Sequence, residues 1–179
     1  DVEDKIRRLK ERIKEVTERD RKLLEELKRE AEEVLRRDKK SLEEVEREIE
    51  EILKDAERKG KRDERIEKTL RDLVERYRRE HKRAAEDVER LKEEYERKHR
   101  DAKRKIDELE RKLEDKLRDK KRGGDELIRE VEKVLEDWKR KVDELNRRLK
   151  KVLKEWEDTV RKLNEELKDV LDKLREELD

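Results

Sequence analysis

The chain contains no cysteine, proline, methionine or phenylalanine, and only three glycines, two tryptophans and two tyrosines in 179 residues. Without cysteine there is no disulfide and no thiolate chemistry. Without proline no residue strongly breaks a helix from within. No apolar run approaches the roughly 18 residues that a membrane-crossing helix needs, and nothing resembles a signal peptide, so a soluble chain is expected. Charge of one sign is missing too: 59 Lys and Arg face 58 Asp and Glu. The signs are interspersed instead of blocked, which argues against a nucleic-acid-binding role resting on a basic stripe.

What remains is an extreme palette, 65% charged and 28% hydrophobic. Glu, Lys, Arg and Leu dominate, and their straight side chains lose little rotamer freedom in a helix. Composition alone therefore predicts an all-α protein. The glycines punctuate it. Gly60 and the pair Gly123-Gly124 divide the chain into near-equal thirds, each preceded by basic residues suited to a helix C-terminus and followed by an aspartate, Asp63 or Asp125, suited to an N-cap. Asp1 can cap the first helix. The predicted helices run 2–59, 64–122 and 126–178. Short connections leave no chain for a return crossing, so the expectation is a single up-down-up antiparallel three-helix bundle over 1–179. Each helix would be about 85–90 Å long.

The apolar spacing is regular. In the first third it reads Val2, Ile6, Leu9, Ile13, Val16, Asp20, Leu24, Leu27, Ala31, Val34, Asp38, Leu42, Val45, Ile49, Ile52 and Ala56. These steps average about 3.6 residues, so the stripe follows a straight helix and predicts almost untwisted packing. The underlying repeat is five turns, or about 18 residues. It relates Asp20 to Asp38, Tyr77 to Tyr95, His81 to His99, Trp138 to Trp156 and Asn146 to Asn164. In the remaining unit of each helix the equivalent positions are apolar: Ala56, Leu113, Leu117, Leu174 and Ile128.

Equal thirds, the glycine loops at Gly60 and Gly123-Gly124, the aspartate caps, and the repeat of Trp138 at Trp156 resemble de novo designed helical bundles generated from coiled-coil equations. The likeness is one of style over the whole chain. It implies a parametric three-helix bundle with no natural substrate.

Polar residues interrupt the inner stripe. Folding the chain back at its loops brings Asp20 level with His99 and Asn146, and Asp38 level with His81 and Asn164, with Tyr95 and Tyr77 joining instead of, or beside, the asparagines. The favoured reading is two buried hydrogen-bond layers that enforce register, because sliding a helix by one turn would leave each buried polar group unmatched at about 1–3 kcal/mol. A metal reading uses Asp20, His99, Asp38 and His81, but offers one histidine and one carboxylate per layer where stable zinc sites gather three or four ligands. A catalytic reading lacks a nucleophile at the histidine levels and an oxyanion hole. No enzyme activity or cofactor is expected. Trp138 and Trp156 read as large core fillers, Trp156 level with Ala31 and near Ala84 and Ala85.

Other classes compete. A natural charged single helix or coiled-coil spacer would need neither a continuous stripe nor two glycine interruptions. A binding module would need outward apolar patches, of which there are almost none. No partner is expected, and a monomer is favoured over a domain-swapped dimer.

Overall fold

A computed structural model describes residues 2–119 and 124–179. Three helices account for nearly all of them: α1, Val2–Arg58; α2, Glu64–Asp119; and α3, Gly124–Leu178. The protein is an all-α three-helix bundle. Acidic residues begin each helix (Glu3 and Asp4; Glu64 and Glu67; Asp125 and Glu126), and basic ones end it (Arg58; Lys116 and Arg118; Arg175). That bias complements the partial charges of the helix termini. No helix among the described residues is long and apolar enough to cross a membrane.

The first connection follows its expected chemistry. Gly60 takes φ +66°, a left-handed conformation that glycine adopts without a Cβ clash. Its N–H donates to the Glu57 carbonyl, and that of Lys61 to the Ala56 carbonyl, the paired bonds of a Schellman ending. Helix α1 therefore closes at Arg58, one residue before its predicted end. The Asp63 carboxylate then accepts from the N–H groups of Arg65 (3.0 Å) and Ile66 (3.4 Å), which caps α2. At the second connection α3 already begins at Gly124. Asp125 therefore sits inside the first turn and is not the residue before it, although its charge still favours that helix end. The proposed cap Asp1, the basic run 120–122 and Gly123 lie outside the described residues.

Contacts group the chain into two compact units, each fed by all three helices. Unit 1 comprises 1–28 and 89–149; unit 2 comprises 29–88 and 150–179. In unit 1 the core joins Ile6, Leu9 and Ile13 of α1 to Ile106, Leu109 and Leu113 of α2 and to Leu127, Val131 and Leu135 of α3, with Ile128 packed against it. A second cluster gathers Leu24, Trp138 and Val142, with Val16, Tyr95 and Ala102 against them. In unit 2 the buried side chains include Ala31, Leu35, Leu42, Ile49 and Ala56, then Leu70, Leu73 and Tyr77, then Trp156, Leu163, Leu167 and Leu174. Leu35 is a correction to the predicted stripe, which passed from Val34 to Asp38. The buried face is broad enough to take in a flanking residue, as expected of a helix that meets two neighbours. Antiparallel α1 and α2 appear in unit 2 as pairings that run oppositely, Leu35 with His81 and Asp38 with Tyr77.

Basic residues at the first connection also serve α3. Lys59 Nζ donates to the Leu178 carbonyl and Lys61 Nζ to that of Glu177, each at 3.2 Å. Helix carbonyls with no intrahelical partner are satisfied this way. The Arg175–Glu48 pair adds a bridge from α3 to α1.

Candidate functional site

The 18-residue repeat places one aspartate, one tyrosine, one histidine and one tryptophan in each unit, and their geometry differs between the two. In unit 2 Asp38 is buried, 7% exposed. A lone carboxylate there would carry a heavy desolvation cost. Trp156, itself 3% exposed, donates its indole N–H to Asp38 Oδ2 at 2.6 Å. Arg37 Nε stands 3.7 Å from the other oxygen, so the charge has both a neutral donor and a cation. The Tyr77 hydroxyl donates to the Asp38 main-chain oxygen at 3.3 Å. Burial, assisted by the Asp38 charge, pushes that hydroxyl up to about 12.

His81 Nε2 lies 2.8 Å from the Leu35 carbonyl. A carbonyl only accepts, so Nε2 is assigned the hydrogen. The Trp156 ring meets Tyr77 and His81 edge-on, with centroids 5.8 and 5.3 Å away, the arrangement that the aromatic quadrupole favours. The unit 2 constellation is thus closed: donors reach the carboxylate and both flanking rings have main-chain acceptors.

In unit 1 Trp138 is equally buried, and its ring stands 5.8 Å from Tyr95 and 5.5 Å from His99. The hydrogen bonds are not closed. Asp20 Oδ2, the Tyr95 hydroxyl, Trp138 Nε1 and Asn146 Oδ1 are buried without a partner. Burial and the nearby Asp143 charge hold Asp20 above the usual carboxylate range; Arg19, Lys139 and the facing Trp138 indole pull the other way. Burial, with Asp20 and Glu25 adding, pushes the Tyr95 hydroxyl up to about 12. Burial also pushes His99 below the ordinary imidazole value, with the cations Lys103 and Arg21 reinforcing it.

Two expectations are corrected. Neither aspartate takes its histidine as partner: Asp38 is served by the Trp156 indole and Asp20 faces that of Trp138, because the indoles reach the core from α3 while His81 and His99 stay half-buried. Asn164 is exposed and belongs to no layer, and Asn146 is half-buried with its oxygen unpaired. Both lie on the flank of the α3 stripe, outside its fully buried face. The Trp156 N–H reaches Asp38, seven residues along α1 from the Ala31 level.

The sequence also concealed an ion pair between a buried carboxylate and an exposed arginine. Glu67, 7% exposed, receives Arg62 through Nε at 2.8 Å and Nη2 at 3.2 Å, a two-pronged geometry suited to guanidinium and carboxylate. Its only signal was an acidic residue three positions before Leu70 on the inner face. On the surface, Glu94 is held below its ordinary value by hydrogen bonds from Lys98 and Arg148. Among the described residues no group of three or more His, Cys, Asp or Glu could together hold a metal ion.

Comparison with protein-family models, with curated proteins and with solved structures finds no match to this chain.

Proposed function

We propose that the chain is a structural scaffold of the de novo designed helical-bundle kind, not a catalyst, in which the Trp156–Asp38 layer specifies how the helices align. The observation that carries this reading is Asp38, a buried carboxylate whose donor comes from a different helix, Trp156 of α3. A buried charge contributes little net stability compared with an apolar side chain of similar size, but it penalises alignments that strip it of its donor. The regular spacing near 3.6 residues and the solvated Glu, Lys and Arg faces also support a built, nearly untwisted bundle.

The test separates alignment from stability. Spin labels at exposed Glu44 of α1 and Lys168 of α3 report the register of those helices by their separation. In the triple variant Asp38→Leu, Tyr77→Phe, Trp156→Phe the helices should remain folded while the separation splits into more than one population. A single narrow separation, the same as in the parent, would sink the register role.

A further inference from the structure

We propose that unit 1 holds a binding site for a small planar aromatic molecule bearing one hydroxyl, a phenol, in the groove between α1 and α2 over Trp138. The open-sided groove holds about 450 Å³ and is lined by Ile13, Thr17, Ala102, Ile106, His99 and Trp138 together with charged residues that include Arg21 and Lys103. That volume falls within the range of about 300–1,000 Å³ typical of small-molecule pockets.

The repeat explains the opening. Eighteen residues after Thr17 stands Leu35, a buried leucine in unit 2, so unit 1 has a smaller side chain at the equivalent place. Thr17 does not offer its hydroxyl to the groove. It donates to the Ile13 carbonyl of its own helix at 2.8 Å, as helical threonines commonly do. Ala102, also a wall residue, is small. The uncharged walls are apolar and aromatic, suited to a small apolar ring.

The polar end is set by His99. Its counterpart His81 bonds the Leu35 carbonyl, whereas among the described residues the His99 ring meets Tyr95 and Trp138 through ring contacts and has no hydrogen-bond partner. As the neutral imidazole, the form that burial and then Lys103 and Arg21 favour, it carries one unprotonated nitrogen, an acceptor for a phenolic O–H. The same two cations favour an electron-rich oxygen there. This inference does not depend on the scaffold reading, because a register role for Asp38 lies in unit 2.

The experiment titrates phenol into the full isotope-labelled chain and follows the two indole N–H and two imidazole resonances. Trp138 and His99 should shift saturably while Trp156 and His81 stay fixed, and toluene, which lacks the hydroxyl, should bind more weakly. Thr17→Leu, which installs the unit 2 residue, should abolish saturation; Ala102→Leu fills the groove from α2 and should do the same. No saturable shift, equal shifts in both units, toluene binding as tightly as phenol, or unchanged binding in both filled variants would overturn the proposal.

Discussion

Units 1 and 2 carry the same four side-chain types at the same repeat positions, yet Trp156 closes on Asp38 while Trp138 only faces Asp20. The difference teaches that a repeated inner face does not guarantee a repeated hydrogen bond. Residues beside it decide. At the position eighteen residues before Arg161, unit 1 has Asp143, whose charge disfavours ionised Asp20. Where unit 2 has Leu35 packed beside His81, unit 1 has Thr17 and a groove. Neither change touches the aspartate, tyrosine, histidine or tryptophan itself.

The sharpest way to break this contrast is to remove each indole N–H. Trp156→Phe strands the Asp38 carboxylate, whereas Trp138→Phe removes a donor that has no acceptor in hydrogen-bond geometry. Denaturant unfolding should show Trp156→Phe costing about 1–3 kcal/mol more than Trp138→Phe. Equal losses would mean that the 2.6 Å bond contributes nothing particular to unit 2.

Exchanging the groove residues comes next. Leu35→Thr should destabilise by about 2 kcal/mol through lost burial and incomplete collapse, and Thr17→Leu should stabilise by on the order of 1 kcal/mol by covering apolar surface. Thermal melts of the two single variants check the opposite signs.

A smaller effect distinguishes the units by pH. The folded value of His99 lies below its ordinary 6.5, so the unfolded chain binds a proton first as pH falls. Stability from this group is therefore complete above about pH 6.5 and is lost as pH falls towards the depressed folded value. Asp20, raised above the ordinary carboxylate value, acts in the opposite direction: the folded state takes up its proton first, and the penalty of its buried charge is relieved as pH drops. Imidazole resonances should give a His99 midpoint below 6.5 in the parent, and His99→Gln should flatten the melting temperature between pH 5 and 7. A midpoint at or above 6.5 would contradict the burial argument.

The mildest change is Asp143→Lys, which removes the like charge facing Asp20 and leaves every core residue in place. The Asp20 midpoint, read from its carboxyl carbon, should fall relative to the parent with little change in unfolding free energy.

Much of the fold was legible in particular residues. The φ of Gly60, the cap at Asp63 and the buried run from Ile6 to Ala56 all follow from local chemistry: glycine's freedom at positive φ, a carboxylate's reach to free N–H groups, and a spacing of one helical turn. The site was legible only in part. The sequence marked Asp20, Asp38, Tyr77, Tyr95, His81 and His99 as exceptional, but it paired aspartate with histidine and admitted Asn164. Counting levels through a loop locates a residue to within a turn, about 5.4 Å, which exceeds the length of a hydrogen bond. It therefore cannot choose between an imidazole and an indole approaching the same carboxylate.

The sequence by itself determined three helices, where the first connection turns, and which side chains are forced inward, because these depend on backbone preference and on a period written along one strand of chain. Tertiary structure decided which donor meets Asp38, that Asp20 Oδ2 is left without one, and where Thr17 leaves a groove. Those outcomes depend on distances between side chains of different helices, where a shift of an ångström or two makes or breaks a hydrogen bond.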